Sequence, residues 1–208
     1  MGRPRKSDAR DGRSAILDAA LDLFSTNGYD ATTVRQIAAV VGVSDAALYS
    51  HFESKAEILS TLFEFYGPKA VYLSLESLNF EKAATNSLDF VIECLGKLAQ
   101  RWFEPSERKF FRLLLIENMK ATLPESLSLK NLQAPIRSKL LVLARGIIAR
   151  GLSYDIDPEW LVEQFVAPIT AIRSEMAFSR EEPVLIDITA RLERHARNFF
   201  EVFCVKSN

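Results

Sequence analysis

The stretch from Thr32 to Lys55, TTVRQIAAVVGVSDAALYSHFESK, constrains this chain more than any other. Thr33 followed by Gln36 fits a capping box, so a helix is expected to begin there. Val34, Ile37, Ala38 and Val41 then share one apolar face. Gly42 supplies the left-handed residue that ends the helix. Val43 is expected to fill the space before the next helix, which Ser44 caps and Leu48 anchors, with Phe52 closing the unit. Ser54 followed by Glu57 forms a second capping box, opening a longer helix over Ile58, Leu59, Leu62 and Phe63. Two short helices around a glycine turn have the layout of a helix-turn-helix, which lays its second helix in the DNA major groove. A helical hairpin with no DNA role has the same spacing, so the neighbouring residues have to decide.

Ser14 to Thr26 reads as a helix with Ile16, Leu17, Ala20, Leu23 and Phe24 on one side, closed by Asn27-Gly28. That helix, followed by NGYDATTVRQIA and GVSDAALYSHFESKAEIL, resembles the N-terminal domain of the TetR (tetracycline repressor) family of bacterial transcriptional regulators. The resemblance runs over about residues 12–66. It rests on Gly28-Tyr29, Thr32-Thr33, Ile37-Ala38, Gly42-Val43-Ser44, Leu48-Tyr49, His51-Phe52 and Lys55. Beyond Tyr66 only length and helix order agree.

Composition is consistent with this and rules out some alternatives. A chain of 208 residues with 48% hydrophobic and 25% charged residues suits a folded domain of ordinary size. No apolar run reaches the ~18–20 residues of a membrane span, and the N-terminus lacks the apolar segment of a secretion signal. Cys94 and Cys204 have neither metal-ligand nor redox spacing and read as structural thiols of a cytoplasmic protein. No Gly-rich phosphate loop, paired-His motif or acid–base pair points to an enzyme, and no metal or cofactor is expected. Residues 1–13 hold five Lys or Arg against two Asp, a net +3, which leaves −4 on the rest of a chain whose total is −1. Gly2-Arg3-Pro4-Arg5-Lys6 can lie along a narrow minor groove, with Arg3 and Arg5 drawn by its negative potential. It is otherwise a solubilising tail.

Past Tyr66 the periodicity is helical throughout. Gly67-Pro68 should break the helix begun at Ser54, and a further segment follows to about Leu78. Helices are expected over about Phe80–Phe103, Glu107–Met119 and Leu132–Arg150, the last with Leu132, Ile136, Leu140, Leu143 and Ile147 on one face. Asp157-Pro158 is a helix start signal. The helix that follows carries Leu161, Phe165, Ile169 and Ile172, and Pro168 should kink it. A final helix to about Val205 carries Leu185, Ile188, Leu192, Ala196, Phe199 and Phe203. The expected fold is all-α with about nine helices. It comprises a basic flexible arm (1–11), a three-helix helix-turn-helix domain (12–53) and a helical effector-binding and dimerisation domain (54–208).

Two long helices with wide apolar faces either close a monomer core or pair with a twin. In proteins of the TetR family they form a four-helix bundle across a two-fold axis. The resemblance therefore implies a homodimer through Leu161, Phe165, Ile169, Ile172, Leu185, Ile188, Leu192 and Phe199. A dimer also has a physical rationale, because two reading helices meet two half-sites of a palindromic double-stranded operator about one turn apart.

The expected DNA contacts follow from chemistry. Thr33, at a helix start, can offer its hydroxyl and amide to a phosphate, or serve only as a cap. Lys55, just past the Ser54 cap, is placed for another phosphate. Arg35 faces outward toward a guanine edge or a phosphate. Ser44, Asp45, Ala46 and Ala47 form the first turn of the reading helix, with methyl contacts open to the two alanines. Tyr49 and His51 match positions that contact backbone or base in similar proteins. The alternatives are a partly buried Tyr49 and a His51 that merely fills a surface. Asp45 departs from the basic or neutral residue of many relatives. It either accepts from cytosine N4 or strengthens the helix start.

The resemblance also implies a cavity for a small effector within the second domain. Its largely apolar candidates are Phe63, Tyr66, Phe90, Trp102, Phe103, Phe111 and Phe165, with Tyr72 and Phe110 near them, each otherwise a core residue. Arg101, Arg112, Glu117, Asn118 and Arg173 lie near apolar faces and could orient a polar group. The implied function is a repressor released from DNA when the effector binds. A helical small-molecule-binding protein with weak or no DNA binding is the alternative.

Overall fold

The structure, a computed structural model, describes residues 6–67, 86–120, 123, 125–149, 155–179 and 181–204. Every element in these residues is helical. They are α1 (Lys6–Asn27), α2 (Val34–Val41), α3 (Asp45–Tyr49), α4 (Lys55–Tyr66), α5 (Ser87–Trp102), α6 (Pro105–Lys120), a 3-10 turn (Glu125–Leu127), α7 (Leu129–Ala149), α8 (Pro158–Phe178) and α9 (Leu185–Phe203). No helix among the described residues is long and apolar enough to cross a membrane.

The local signals of the N-terminal third form as expected. Thr33 caps α2 with a complete capping box, and Gly42 ends it at φ +80°. Ser44 caps α3 by accepting from the Ala47 amide at 3.1 Å. The second box is altered: Ser54 Oγ accepts from the Glu57 amide, but the Glu57 carboxylate takes the Glu53 amide rather than that of the cap. Val43, expected to fill the turn, stays partly exposed. α1 begins at Lys6, so the second half of the expected flexible arm is helical. Arg3 and Arg5 lie outside the described residues.

Further along, helix ends move where capping outweighs periodicity. Asn86 caps α5, and the expected start near Phe80, the segment to Leu78 and Tyr72 lie outside the described residues. α6 opens with Pro105 at its first position, two residues early, where Pro has no amide to leave unbonded. α7 starts at Leu129, three residues early, because Ser128 Oγ accepts from the Asn131 amide and Asn118 Oδ1 from the Leu129 amide. α8 has the expected Asp157 cap and Pro at its start. It continues through Pro168, which deprives the Gln164 carbonyl of its helical donor. In the same turn the Phe165 carbonyl accepts from His195 Nε2 at 2.8 Å.

Among the described residues three larger apolar clusters hold the fold, with a small fourth around Phe90. The first joins Ile16, Leu21 and Phe24 of α1, Ile37, Leu48, Phe52, and Ile58 and Leu62 of α4 to Phe110, Phe111, Leu113 and Leu114 of α6. The expected boundary at 53/54 therefore runs through the middle of one core. The second packs Leu95 and Trp102 of α5 against Ile172 and Met176 of α8 and Ile188 and Leu192 of α9. The third joins Ala144 of α7, Leu161 and Val162 of α8, and Phe199 of α9.

Candidate nucleic-acid interface

α3 is fixed from beneath and open above. Leu48 is fully buried, whereas Ser44, Asp45, Ala46, Ala47 and Tyr49 are exposed, and so is Arg35 on α2. Tyr49, at 52% exposure, is a surface residue and not part of the core. The Ser44 oxygen is used in its cap, while Ser50 Oγ donates to the Ala47 carbonyl. Asp45 stands in the first turn of α3.

Three expected contact residues are occupied elsewhere. The Thr33 amide and hydroxyl both donate to Gln36 Oε1, at 2.7 and 3.0 Å, so Thr33 is a cap before it is a phosphate ligand. Lys55 turns inward: its ammonium donates to the carbonyls of Tyr29 (2.8 Å) and Thr32 (2.9 Å) and lies 4.2 Å over the Tyr29 ring. Lys55 locks the α1–α2 turn instead of reaching outward. His51 is half-buried against α1, where a Cβ on Gly12 would lie 3.1 Å from Nε2. Arg13 spans Thr61, Glu57 and the Phe52 face. From Asp30 to Glu53 the chain carries Asp30, Asp45 and Glu53 against Arg35, so the unit itself is acidic.

The other charged candidates are internal ties. Arg101 and Arg173 both pair with Glu107, which is buried, and Arg173 stacks 4.0 Å over Phe111. Burial raises the Glu107 carboxyl, against the pull of the two guanidiniums. Burial lowers Arg173 to about 10. Arg112 donates to the Ala177 carbonyl at the end of α8. Asn118 bonds the Leu114 carbonyl and the Leu129 amide. Glu117 accepts from the Tyr29 amide.

An apolar cavity of about 70 Å³ lies among α5, α7, α8 and α9. It is lined by Ser87, Phe90, Val91, Leu140, Leu143, Ala144, Ile147, Leu161, Val162, Phe165, Phe199, Phe200 and Cys204. Of the expected pocket residues only Phe90 and Phe165 reach it. Phe63, Tyr66 and Phe111 pack in or against the first cluster around Phe110, and Trp102 and Phe103 belong to the second. The α7 wall was legible as an apolar stripe but not as a cavity wall. Burial pushes the Cys204 thiol up, and pushes nearby Cys94, packed against Phe90, up to about 11.

The expected dimer residues are largely used within the chain. Leu161, Ile172, Ile188, Leu192 and Phe199 are buried in its own clusters. Phe165 and Ile169 are packed against them, with Phe165 stacked on His195. Leu185 alone is exposed. The outward faces are different: Gln164, Ala167, Pro168, Ala171, Glu175 and Phe178 on α8, and Ile186, Ala190, Arg194 and Arg197 on α9.

A capped helix-turn-helix with its second helix exposed, built into an all-helical body, defines the class: a helix-turn-helix protein. Residues 16–62 match the sequence profile of "Bacterial regulatory proteins, tetR family". The chain is 38% identical over 76 residues to the HTH-type transcriptional regulator AcrR of Shigella flexneri, a match covering 36% of this chain and 35% of that one. It is 34% identical over 102 residues to the nucleoid occlusion factor SlmA of Aliivibrio fischeri, covering 49% and 50%. The chain thus spans a third to a half of the length of these relatives. The solved structure of the TetR family protein CprB from S. coelicolor A3(2) shares the fold at a TM-score of 0.68 and 20% identity, over 96% of this chain and 92% of that one. Residues 16–62 are thus similar to the DNA-binding part of the tetR family of bacterial regulatory proteins, and the likeness of the rest of the chain is one of fold.

Proposed function

We propose that this protein is a cytoplasmic transcriptional repressor that binds a palindromic operator as a homodimer and leaves it when a small, uncharged, apolar effector enters the cavity. The observation that carries the reading is the exposed, doubly capped α3 over a buried Leu48. Arg35, Ser44, Asp45, Ala46, Ala47 and Tyr49 are the groups available to the bases and backbone. Because the reading unit is acidic, attraction to phosphate rests on the basic residues before Ser14, Arg3 and Arg5 among them. The outward faces of α8 and α9 are the surfaces left for a partner copy.

The cavity lining accounts for the effector class. Among the described residues its polar side chains are those of Ser87 and Cys204, and none of these lining residues offers a countercharge to a charged ligand. At about 70 Å³ the space is well below the ~300 Å³ of a common ligand pocket. The effector therefore binds a more open form, and its preference for that form is what shifts the protein off DNA.

Anisotropy with duplexes from a randomised pool tests the reading. Log affinity should fall linearly with log salt, by about 0.9 per phosphate contact, and more gently once residues 1–11 are removed. Weak binding indifferent to salt would sink it. Ala144→Phe, which fills the cavity, should keep operator binding and abolish release by apolar compounds.

A further inference from the structure

We infer that Glu117 is a positioning residue that sets the orientation of the DNA-reading module on the body. This rests on the DNA-binding reading above and adds to it the residue that aims the module. Glu117 stands in the last turn of α6 and is fully buried. Its Oε1 accepts from the Tyr29 amide at 3.0 Å and from Lys120 Nζ at 3.3 Å. Tyr29 belongs to the turn between α1 and α2, so this bond spans 88 residues of sequence.

The turn is rigid enough to transmit such a hold. Gly28 sits at φ +87°, and a Cβ there would displace the flexible end of Lys120 and lie 3.1 Å from Glu117 Oε1. The buried Thr32 hydroxyl closes the turn onto the Gly28 carbonyl at 2.8 Å, and the Tyr29 and Thr32 carbonyls are both taken by Lys55. Lys55 opens α4, and Thr33 caps α2. Fixing the Tyr29 amide therefore fixes the starts of two helices that carry α3.

Packing alone does not explain a carboxylate at this position. Replacing a buried ion pair as a whole by apolar residues of similar size is often neutral for stability, although removing one partner alone is costly. What a hydrogen bond adds is direction, since apolar contacts tolerate sliding. The other end of α6 has the matching tie: Glu107 pairs with Arg101 of α5 and Arg173 of α8. α8 in turn lines the cavity through Leu161, Val162 and Phe165. A continuous set of contacts thus leads from the cavity, through α8 and α6, to the turn beneath α2.

The test uses full-length protein carrying Glu117→Leu or Glu117→Met, with Glu117→Gln as the conservative rescue. Spin labels at exposed Ala39 and Gln100, in a Cys94→Ser, Cys204→Ser background diluted with unlabelled chain, report module-to-body distance. Both apolar variants leave the Tyr29 amide without its acceptor and should melt somewhat lower but stay folded, and they should bind the selected operator about tenfold more weakly, as loss of a hydrogen bond to a charged group implies. Their Ala39–Gln100 distances should broaden, and Gln should restore affinity and distance together. Wild-type affinity and distances in a folded Leu or Met variant would overturn the inference. So would collapse of the fold in both, which would make Glu117 a stability residue. If no duplex binds wild-type protein but the distances still broaden, the DNA reading fails and the positioning role stands.

Discussion

Two glycines in the same backbone region make a controlled comparison. Gly42 and Gly28 sit at φ +80° and +87°, both left-handed. A Cβ at Gly42 meets nothing within 4 Å, so Gly42→Ala isolates the backbone term. An L-residue in that region costs ~1–2 kcal/mol. The stiffer unfolded chain returns ~0.4–1 kcal/mol of it. The net cost is ~1 kcal/mol, or about 2–4 °C in Tm for a chain of this size. Gly28→Ala carries the same term and also drives its Cβ into Lys120 and within 3.1 Å of Glu117 Oε1. Disturbing a hydrogen bond to a buried charged group adds ~1–3 kcal/mol. Its Tm should therefore fall at least twice as far, and Gly42→Asn should recover part of the smaller loss, because Asn tolerates the left-handed region. Thermal unfolding followed by far-ultraviolet circular dichroism reads both. Equal shifts would refute the packing of Gly28 against α6, and an unchanged Gly42→Ala would refute the left-handed cap.

Three further outcomes are expected. Glu107→Gln leaves Arg101 and Arg173 without their buried carboxylate and should cost ~3–5 kcal/mol by urea unfolding, whereas Glu193→Gln, at the exposed Arg197 pair, should cost under ~0.5 kcal/mol; equal losses would show that burial is not what matters. Cys94, raised to about 11 from 9.0 chiefly by burial, should alkylate slowly at pH 8 in a Cys204→Ser background. Because its folded value is the higher one, its contribution to stability is whole below pH 9 and lost as pH rises toward 11, and rapid labelling at pH 8 would contradict its burial. Ala171→Glu, on the exposed face of α8, should yield a folded monomer by analytical ultracentrifugation, while Leu161→Glu should unfold; a dimeric Ala171→Glu would move the interface elsewhere.

What was legible in the sequence is what neighbouring residues decide among themselves. The Thr33–Gln36 box, the Gly42 and Gly28 turns, the Ser44 cap and the Asp157-Pro158 start each need only a few adjacent residues, and each formed. The neighbours of Lys55 and His51 in the fold, Tyr29 and Gly12, lie elsewhere in the chain, so no local pattern announces them. For Thr33 the structure favours the cap among the two readings open to it, since the box also takes the donors a phosphate would need. The apolar stripes of α8 and α9 were correctly seen as apolar. A stripe, however, records that a face is buried and not against what, and here the chain's own α5 and α7 took it. By the same ambiguity Trp102 and Phe111 pack in the first two clusters and not in the wall of the cavity among α5, α7, α8 and α9. A buried carboxylate such as Glu117 has no periodic signal, since its partner is a backbone amide that any residue type provides.

The boundary drawn at 53/54 matters for mechanism because the structure gives α6 to both halves. Phe110, Phe111, Leu113 and Leu114 lie in one cluster with α1, α2, α3 and α4. Glu107, four residues or fewer from two of them, is tied to α5 and α8. A module joined only by a linker could rotate freely and would lose any signal from the body. With α6 inserted into its core, the module cannot shift without α6 shifting too. Close-packed interiors respond to small displacements by moving between discrete arrangements rather than by yielding gradually. Under the function proposed above, an effector that parts α7 from α8 would have a mechanical route to α3 through α6, and its effect would be bounded by how much better it binds the parted form.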